Sequence, residues 1–341
     1  MSDSKLADYL HVVPAGGAAA LVKTLHLGPE AIAWNDHLSA GPIPAKLSPV
    51  NLAHRRCLFG EAVGWGPYRD RRKAMAARDG ELARFRDYGE VVYWLGPGLD
   101  DQLTLLQALD QFAIRGGQGT RLSLVPFRSP SDDGRPRAVA DHRPDDLRAR
   151  FERRRALDED ACRLSRLAWD AVRSGDPTTV ERLLGTDTSA LPDLAPALHR
   201  WLEELPDHET GLTRTEAAVL ASLGDDDTPA GTLVDAVRDR EAVPYQSAAT
   251  LGVVVGNLAA GPAPLVRTEG EGTAPIPGQT GWDAERTVAI TDAGRAVRDR
   301  ATAWSAPDLP TRWSGGYQLG EGMTRWVWDV DRGEVASTAA S

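Results

Sequence analysis

The sequence is poor in cysteine and has no long apolar run, and each shortage excludes a class of protein. Only two cysteines occur in 341 residues, which excludes a disulfide scaffold and a cysteine-rich zinc module. No apolar run approaches the roughly 18 residues that a membrane-spanning helix needs. The polar N-terminus carries no signal-peptide core. We therefore expect a soluble, cytoplasmic protein that does not enter a membrane.

Positive charge is also scarce. The chain has 39 basic and 49 acidic residues and a formal net charge of −10, whereas coating DNA or RNA requires a basic field. Of the 39 basic residues only four are lysine and 35 are arginine, a bias typical of a GC-rich, actinobacterial-type genome. Arginine-rich segments therefore say less about function here than they do elsewhere. The 42% of hydrophobic residues suffices for packed cores, and the length suits about two domains.

The first third of the chain alternates between apolar strands and helical patterns. Predicted strands cover 11–14, 31–34, 91–95 and 121–126, and predicted helices cover 18–26, 51–62, 69–88 and 101–112. Strand and helix in alternation, with continuous apolar strands, favour an open parallel sheet with flanking helices. The predicted fold class is α/β, with this domain at residues 8–128.

The rest of the chain has a different pattern. A polar, proline-containing linker is predicted at 129–144, followed by a helical region at 145–210 that opens with one long helix over 145–173. Residues 211–335 suggest a winged-helix-like region with an aromatic C-terminal hairpin. Its predicted elements are helices at 213–223, 228–238 and 246–258, a hairpin of 264–267 with 287–290, a helix at 292–303, a terminal hairpin of 312–316 with 326–329, and a frayed end from 336. Thr213 and Glu216 form a predicted capping box.

Four segments together resemble the bacterial "domain of unknown function 1835" family. They are Asp36-His37-Leu38-Ser39-Ala40-Gly41-Pro42, Trp94 to Leu106, Leu198 to Gly211, and Arg312 to Trp328. The resemblance covers most of the chain and implies a polar site at the strand ends. The chain departs from the family at two positions of that site. It has Ala15-Gly16-Gly17 where the family usually has Gly-Asp-Ser, and Pro97-Gly98 where the family often has His-Asp.

Ligands of open parallel sheets bind beyond the carboxyl ends of the strands. In this chain those ends carry Gly16, Gly17, Asp36, His37 and Gly96. Glycine lets a ligand approach the backbone, and a helix N-terminus attracts anions, so we predict a small anionic or phosphorylated ligand here. Ordinary tight turns are the alternative, because neither a dinucleotide nor a Walker fingerprint is present.

Asp36 and His37 are candidate catalytic residues, because histidine titrates near neutrality and an aspartate can orient it. They can cooperate only if both lie in the loop, since neighbours on a strand point to opposite faces. Asp36 can instead cap the turn that Ser39 and Gly41 complete.

Further ligand contacts are predicted at Ser39, Arg55, Trp65 and Trp94. An arginine fork suits a carboxylate or phosphate, although a solvated helix face is the preferred explanation of Arg55 and its neighbours. Trp65 lies in a glycine-rich loop that could form a lid. Asp100 and Asp101 resemble helix caps, no metal-binding motif is present, and the cofactor is unknown.

Three functions remain open, in this order. The first is an enzyme with a small polar substrate at the strand ends. The second is a winged-helix regulator, and the third is a non-catalytic binding protein descended from an enzyme. DNA binding is disfavoured because the predicted helix at 246–258 has no lysine or arginine. We expect this helix to pack on the helical region or in a homodimer formed by the C-terminal region.

Overall fold

The computed structural model describes most of the chain. The described residues are 7–14, 17–28, 30–117, 119–127, 139–242, 245, 247–269, 286–306, 312–319 and 325–338. Within these ranges no helix is both long and apolar enough to cross a membrane.

A five-stranded sheet forms the centre of the N-terminal part. Its strands are β1 (Ala7–Pro14), β2 (Glu30–Trp34), β3 (Tyr88–Tyr93), β4 (Arg121–Leu124) and β5 (Arg155–Ala156). The order is β2-β1-β3-β4-β5, with the first four strands parallel and β5 antiparallel to β4. The predicted α/β class and the parallel sheet are confirmed. The antiparallel edge strand β5 comes from beyond residue 128, where the domain boundary was predicted.

Helices cover both faces of this sheet. They are α1 (Gly17–Lys23), α2 (Pro49–Ala62), α3 (Tyr68–Ala83), α4 (Leu99–Ile114), α5 (Pro144–Glu152), α6 (Glu159–Arg173), α7 (Thr178–Leu184) and α8 (Leu194–Leu202). Side chains alternate between the faces along β1, so Leu10 and Val12 join one core with α4, α6 and α8. Val13 faces the opposite core, which α1 and α5 complete. The helical region thus shares a continuous core with the sheet.

The long helix predicted over 145–173 is wrong, because the chain returns to the sheet in the middle of it. Helix α5 ends at Glu152, β5 pairs with β4, and the Leu157 N–H donates to Leu122 O. Helix α6 then begins after Asp158, whose carboxylate accepts the Ala161 N–H as an N-cap.

The C-terminal region has its own core. Its elements are α9 (Arg214–Ala221), β6 (Thr228–Pro229), α10 (Ala230–Arg238), α11 (Ala248–Leu258), β7 (Val266–Glu269), β8 (Thr287–Ile290) and α12 (Asp292–Arg298). The capping box of Thr213 and Glu216 is confirmed at the start of α9. The hairpin is confirmed as well, as β7 and β8 in an antiparallel sheet of order β6-β8-β7. The winged-helix interpretation stays a prediction.

The aromatic tail forms two hairpins instead of the single one predicted. Strands β9 (Trp313–Ser314) and β10 (Tyr317–Gln318) pair with each other, as do β11 (Arg325–Asp329) and β12 (Glu334–Thr338). Gly315, with φ +58°, allows a two-residue turn between β9 and β10, so β9 pairs with the strand that follows it directly in sequence. Because β12 includes residues 336–338, fraying from 336 is also wrong, and residues 339–341 lie outside the described range.

Candidate functional site

The carboxyl ends of β2 and β3 lie at one edge of the sheet, where α4 begins. The loop 35–37 follows β2, and residues 94–98 lead from β3 into α4. The chain passes from β1 to β2 on one side of the sheet and from β3 to β4 on the other, so the strand order switches between β1 and β3. Ligands of open α/β sheets bind at such a switch point. Of the glycines predicted here, Gly17 begins α1, and Gly16 lies outside the described residues.

Asp36 is held in a buried ion pair with Arg56. Arg56 Nη2 donates to Asp36 Oδ1 at 2.8 Å, and Arg56 Nε lies 3.1 Å from both carboxylate oxygens. The same guanidinium donates to the backbone oxygens of His37 and Ala40 and so fixes the turn after β2. Burial opposes ionisation of Asp36, but Arg56, with Arg71 and Arg78 nearby, holds the pKa of that carboxyl below its ordinary value. These contacts favour a structural role for Asp36.

Arg55, the predicted ligand contact, points away from this pair. Its side chain is exposed and its guanidinium carbon lies 5.7 Å from the ring centre of Trp313. The buried face of α2 carries Leu52, Arg56 and Gly60 at helical spacing. The arginine that faces inward is therefore Arg56, the residue next to the predicted contact Arg55.

His37 meets the first turn of α4 and the residue that caps α11. Its Nδ1 lies 3.4 Å from Asp100 Oδ2 and 3.3 Å from Ser247 Oγ. The imidazole packs edge-on against Trp65, with ring centres 5.2 Å apart. Its side chain keeps 27% of its surface exposed, and Nε2 makes no hydrogen bond with any described residue. Asp36 and His37 both lie in the loop, as their cooperation requires, but their side chains contact different partners.

The tautomer of His37 follows from what surrounds Nδ1. Asp100 Oδ2 is buried and makes no hydrogen bond, and His37 Nδ1 lies 3.4 Å from it, so a proton on Nδ1 is the charge complement that this oxygen needs. Ser247 Oγ accepts the Thr250 N–H at 3.2 Å, and Thr250 Oγ1, 3.3 Å away, can accept the Ser247 hydroxyl proton, so Ser247 is not required to donate to Nδ1. The carboxylate therefore favours Nδ1–H and leaves a lone pair on Nε2.

Asp100 and Asp101 join the two strand ends. Asp100 Oδ1 accepts the Ser39 N–H at 2.7 Å, and Asp101 Oδ2 accepts the Gly96 N–H at 2.7 Å. Gly96 O in turn accepts from Gln102 Nε2. Burial raises the pKa of Asp101 to about 7, although the hydrogen bond from Gly96 favours the ionised form.

The two tryptophans predicted to contact ligand are buried. Trp94 is fully enclosed on the opposite face of the sheet, where its indole N–H donates to His11 Nδ1 at 3.0 Å. Trp65 is 7% exposed and packs with Phe59 and Val253, so it joins the N-terminal part to α11 and is no exposed lid. Its indole nitrogen lies 3.4 Å from Ala249 O. The contact predicted for Trp94 is wrong, because a core on one face of the sheet encloses its ring.

A cleft opens beside this cluster, between the turn after β2 and the C-terminal elements. It holds about 470 Å³ of empty space including its mouth, and Ser39 is the one predicted site residue that lines it. Its walls are Ser39, Ala40, Gly41, Glu204, Thr213, Glu216, Thr250, Val253, Val254, Asn257, Arg312, Trp313, Ser314 and Leu319.

Sequence reasoning missed Arg56 and Ser247 and treated Asp100 only as a cap. The periodicity of α2 could have identified Arg56, which is in phase with Leu52. Ser247 stands before a helix, a position that predicts its cap to Thr250 and nothing more. Its approach to His37 depends on packing between segments 210 residues apart, which no local pattern encodes.

One group of side chains in the described part of the chain has the spacing to hold a metal ion. His208, Glu209 and Asp331 bring ligand atoms within 4.8 Å of one another, and all three are exposed. Glu209 already accepts a 2.7 Å hydrogen bond from Arg300. This group is separate from the His37 cluster.

Comparison with models of known protein families finds no match to the chain, and comparison with curated proteins finds none either.

Proposed function

We propose that this protein is an enzyme that acts on a small polar substrate by general acid–base catalysis at His37. The observation that carries the proposal is the contact of His37 Nδ1 with Asp100, which leaves Nε2 as the proton acceptor. A carboxylate behind an imidazole fixes its tautomer and its orientation. This is the enzyme hypothesis of the sequence, with Asp100 in place of Asp36 as the partner of His37.

The surroundings of His37 support proton transfer over covalent catalysis. Ser247 approaches the same nitrogen as Asp100, whereas a serine nucleophile needs the opposite nitrogen of the ring. The reacting group that Nε2 deprotonates is thus a hydroxyl, an amine or a bound water.

The burial of α11 argues against the regulator hypothesis. None of the residues of α11 is exposed, because Val253 packs on Phe59 and Trp65 while Leu251 and Val255 face the C-terminal core. A recognition helix must reach base edges in the major groove. The helix was expected to pack on the helical region or on a second subunit, and its described contacts are with the C-terminal core and with the α/β part. A homodimer through the C-terminal region stays a prediction.

The test is a conversion screen with a matched histidine control. Wild type, His37→Gln and His54→Gln are incubated with nucleotides, phosphorylated metabolites and amino acids, and products are read by mass spectrometry. His54 is exposed on α2 and contacts Tyr68. We expect a compound that wild type and His54→Gln convert at equal rates and His37→Gln converts at least about 100-fold more slowly. Equal conversion by His37→Gln, or binding without conversion of any compound, would contradict the proposal, and the second result would favour the binding protein.

A further inference from the structure

We propose that the cleft between the turn after β2 and the C-terminal elements is a binding site for a small zwitterion, a free α-amino acid with a short side chain. This site is distinct from the His37 centre, because His37 does not line it. The first support is a pair of hydroxyl groups without partners. Ser39 Oγ and Ser314 Oγ are both buried, both residues line the cleft, and neither hydroxyl makes a hydrogen bond. Ser314 is only 3% exposed.

Unsatisfied buried hydroxyls are costly, and they are rare in folded proteins. Two of them in one cleft, from segments 275 positions apart in sequence, are accounted for by a ligand that bonds to both. The nearby polar side chains are already engaged. Thr250 donates to Ser247 O, and Thr213 accepts the Glu216 N–H, so neither relieves the two serines.

A cation on one wall supplies the site for a carboxylate. Arg312 donates from Nε and Nη2 to Glu216, at 3.1 and 2.8 Å, and this pair is almost fully buried. Arg312 Nη1 makes no hydrogen bond with a described residue, so its two N–H groups are left for a ligand. A guanidinium with a spare donor edge suits a carboxylate oxygen.

An excess of negative charge next to the cleft supplies the site for an ammonium group. Arg200 and Arg214 are paired with three glutamates, Glu203, Glu204 and Glu241, which leaves this network one negative charge in excess. Glu204 lines the cleft. All its hydrogen bonds use Oε1, so Oε2 is open to a cationic donor.

The size of the cleft limits the ligand. The cleft holds about 470 Å³ of empty space including its mouth, which lies toward the lower end of the range for small-molecule sites. Glycine, alanine and serine fit within this space. Val253, Val254 and Leu319 line the rest of the cleft, which suits the carbon atoms of such a molecule.

The binding test uses glycine, L-alanine and L-serine as probes at about 10 mM, a concentration at which millimolar sites stabilise the fold detectably. Melting temperature is measured for wild type, Ser314→Ala and Ser165→Ala. Ser165 carries another buried hydroxyl without a partner, in α6 and away from the cleft, and is therefore the matched control. Three control compounds each carry one kind of polar group. Acetate carries only the carboxylate, methylamine only the ammonium group, and glycerol only hydroxyls.

We expect at least one amino acid to raise the melting temperature of wild type, Ser165→Ala and His37→Gln, while acetate, methylamine and glycerol do not. Ser314→Ala melts no lower than wild type without ligand, because it removes an unsatisfied group, yet binds the amino acid about tenfold more weakly. Ala40→Leu, which fills the cleft from its other wall, abolishes the shift. Failure of all three amino acids to shift wild type, a shift with glycerol or acetate alone, or unchanged binding by Ser314→Ala would overturn the proposal. His37→Gln separates this result from the fate of the proposed enzyme activity.

Discussion

The Nδ1 atom of His37 lies 3.3 Å from the Oγ atom of Ser247, the residue that caps α11. The contact joins the end of β2 to the start of α11, a helix of the C-terminal core. Trp65 reinforces this connection by packing on Val253. His37 therefore sits at a junction between two parts of the chain. Enzymes frequently place their sites at such junctions, because the two sides can close around a substrate.

The buried pair of Asp36 and Arg56 gives a comparison between neighbouring arginines. Arg56→Ala leaves the Asp36 carboxylate buried without its main partner, so we expect the free energy of unfolding to fall by about 3–5 kcal/mol. Arg55→Ala removes an exposed side chain that faces Trp313 and costs at most about 1 kcal/mol. Urea unfolding of both variants measures the difference. Equal losses would show that the ion pair does not hold the turn after β2.

Trp65 tests how firmly α11 is held against the N-terminal part. Trp65→Ala opens a cavity among Phe59, Val253 and His37, and we expect a loss of about 3–5 kcal/mol. Amide exchange in α11 should accelerate in this variant. Trp65→Phe keeps one aromatic ring in this packing and loses the second ring together with the long contact to Ala249 O, so it should cost less than Trp65→Ala. Unchanged exchange in α11 of Trp65→Ala would show that Trp65 does not hold the helix.

Asp101 predicts a fall of stability with rising pH. Its pKa is about 7 in the folded protein against 3.8 ordinarily, so the folded state binds more protons than the unfolded state between about pH 4 and 7. Stability contributed by the protonated carboxyl is complete below pH 4, declines through this window and is constant above it. The full shift corresponds to about 4 kcal/mol, and we expect about half because the side chain is partly open to water.

The measurement for Asp101 is urea unfolding at pH 4.5 and pH 8 in wild type, Asp101→Asn and Asp226→Asn, where Asp226 is an exposed control. The lower pH lies near the acid end of this window and the higher pH lies above its upper end. Asp101→Asn should gain about 2 kcal/mol over wild type at the higher pH and little at the lower one. An identical pH dependence in wild type and Asp101→Asn would show that this carboxyl ionises normally.

His11 predicts the opposite slope. Burial lowers its pKa from 6.5 to about 4, so the unfolded state binds more protons than the folded state between these values. Stability is therefore lost as the pH falls from about 6.5 to 4, by at most about 3 kcal/mol. His11→Gln keeps an acceptor for the Trp94 indole and removes the slope, while His54→Gln retains it. Acid unfolding curves of the three proteins check this, and a slope that persists in His11→Gln would assign it to another group.

Local patterns predicted the elements of the sheet well, because each strand is a short apolar run between turn residues. The capping box of Thr213 and Glu216 followed from two residues three positions apart. The long helix over 145–173 failed because β5 forms only through pairing with β4, which a helical pattern in sequence does not reveal. The sequence predicted a ligand contact at Arg55 because of its charge. The helical phase of α2 instead turns Arg56 inward and leaves Arg55 exposed.

The proximity of the strand ends was predictable, and the side-chain contacts made there were less so. The topology of a parallel sheet brings together the ends of β2 and β3, where His37 and Asp100 lie. Trp94 was misassigned because alternation along a buried strand sends its ring to the opposite face. Glu216 has one contact that the sequence predicted and another that it could not predict. Its cap to Thr213 was readable, but its ion pair with Arg312 joins residues 96 positions apart.

The protonation state of His37 tests the central claim most directly, and it needs no substrate. Long-range proton–nitrogen NMR of the imidazole distinguishes a protonated Nδ1 from a protonated Nε2 in wild type, Asp100→Asn and Ser247→Ala. We predict Nδ1–H with an unprotonated Nε2 in neutral wild type, the same state in Ser247→Ala, and loss of that preference in Asp100→Asn. A neutral wild-type imidazole protonated on Nε2 would contradict the assignment of His37 as a base held by Asp100.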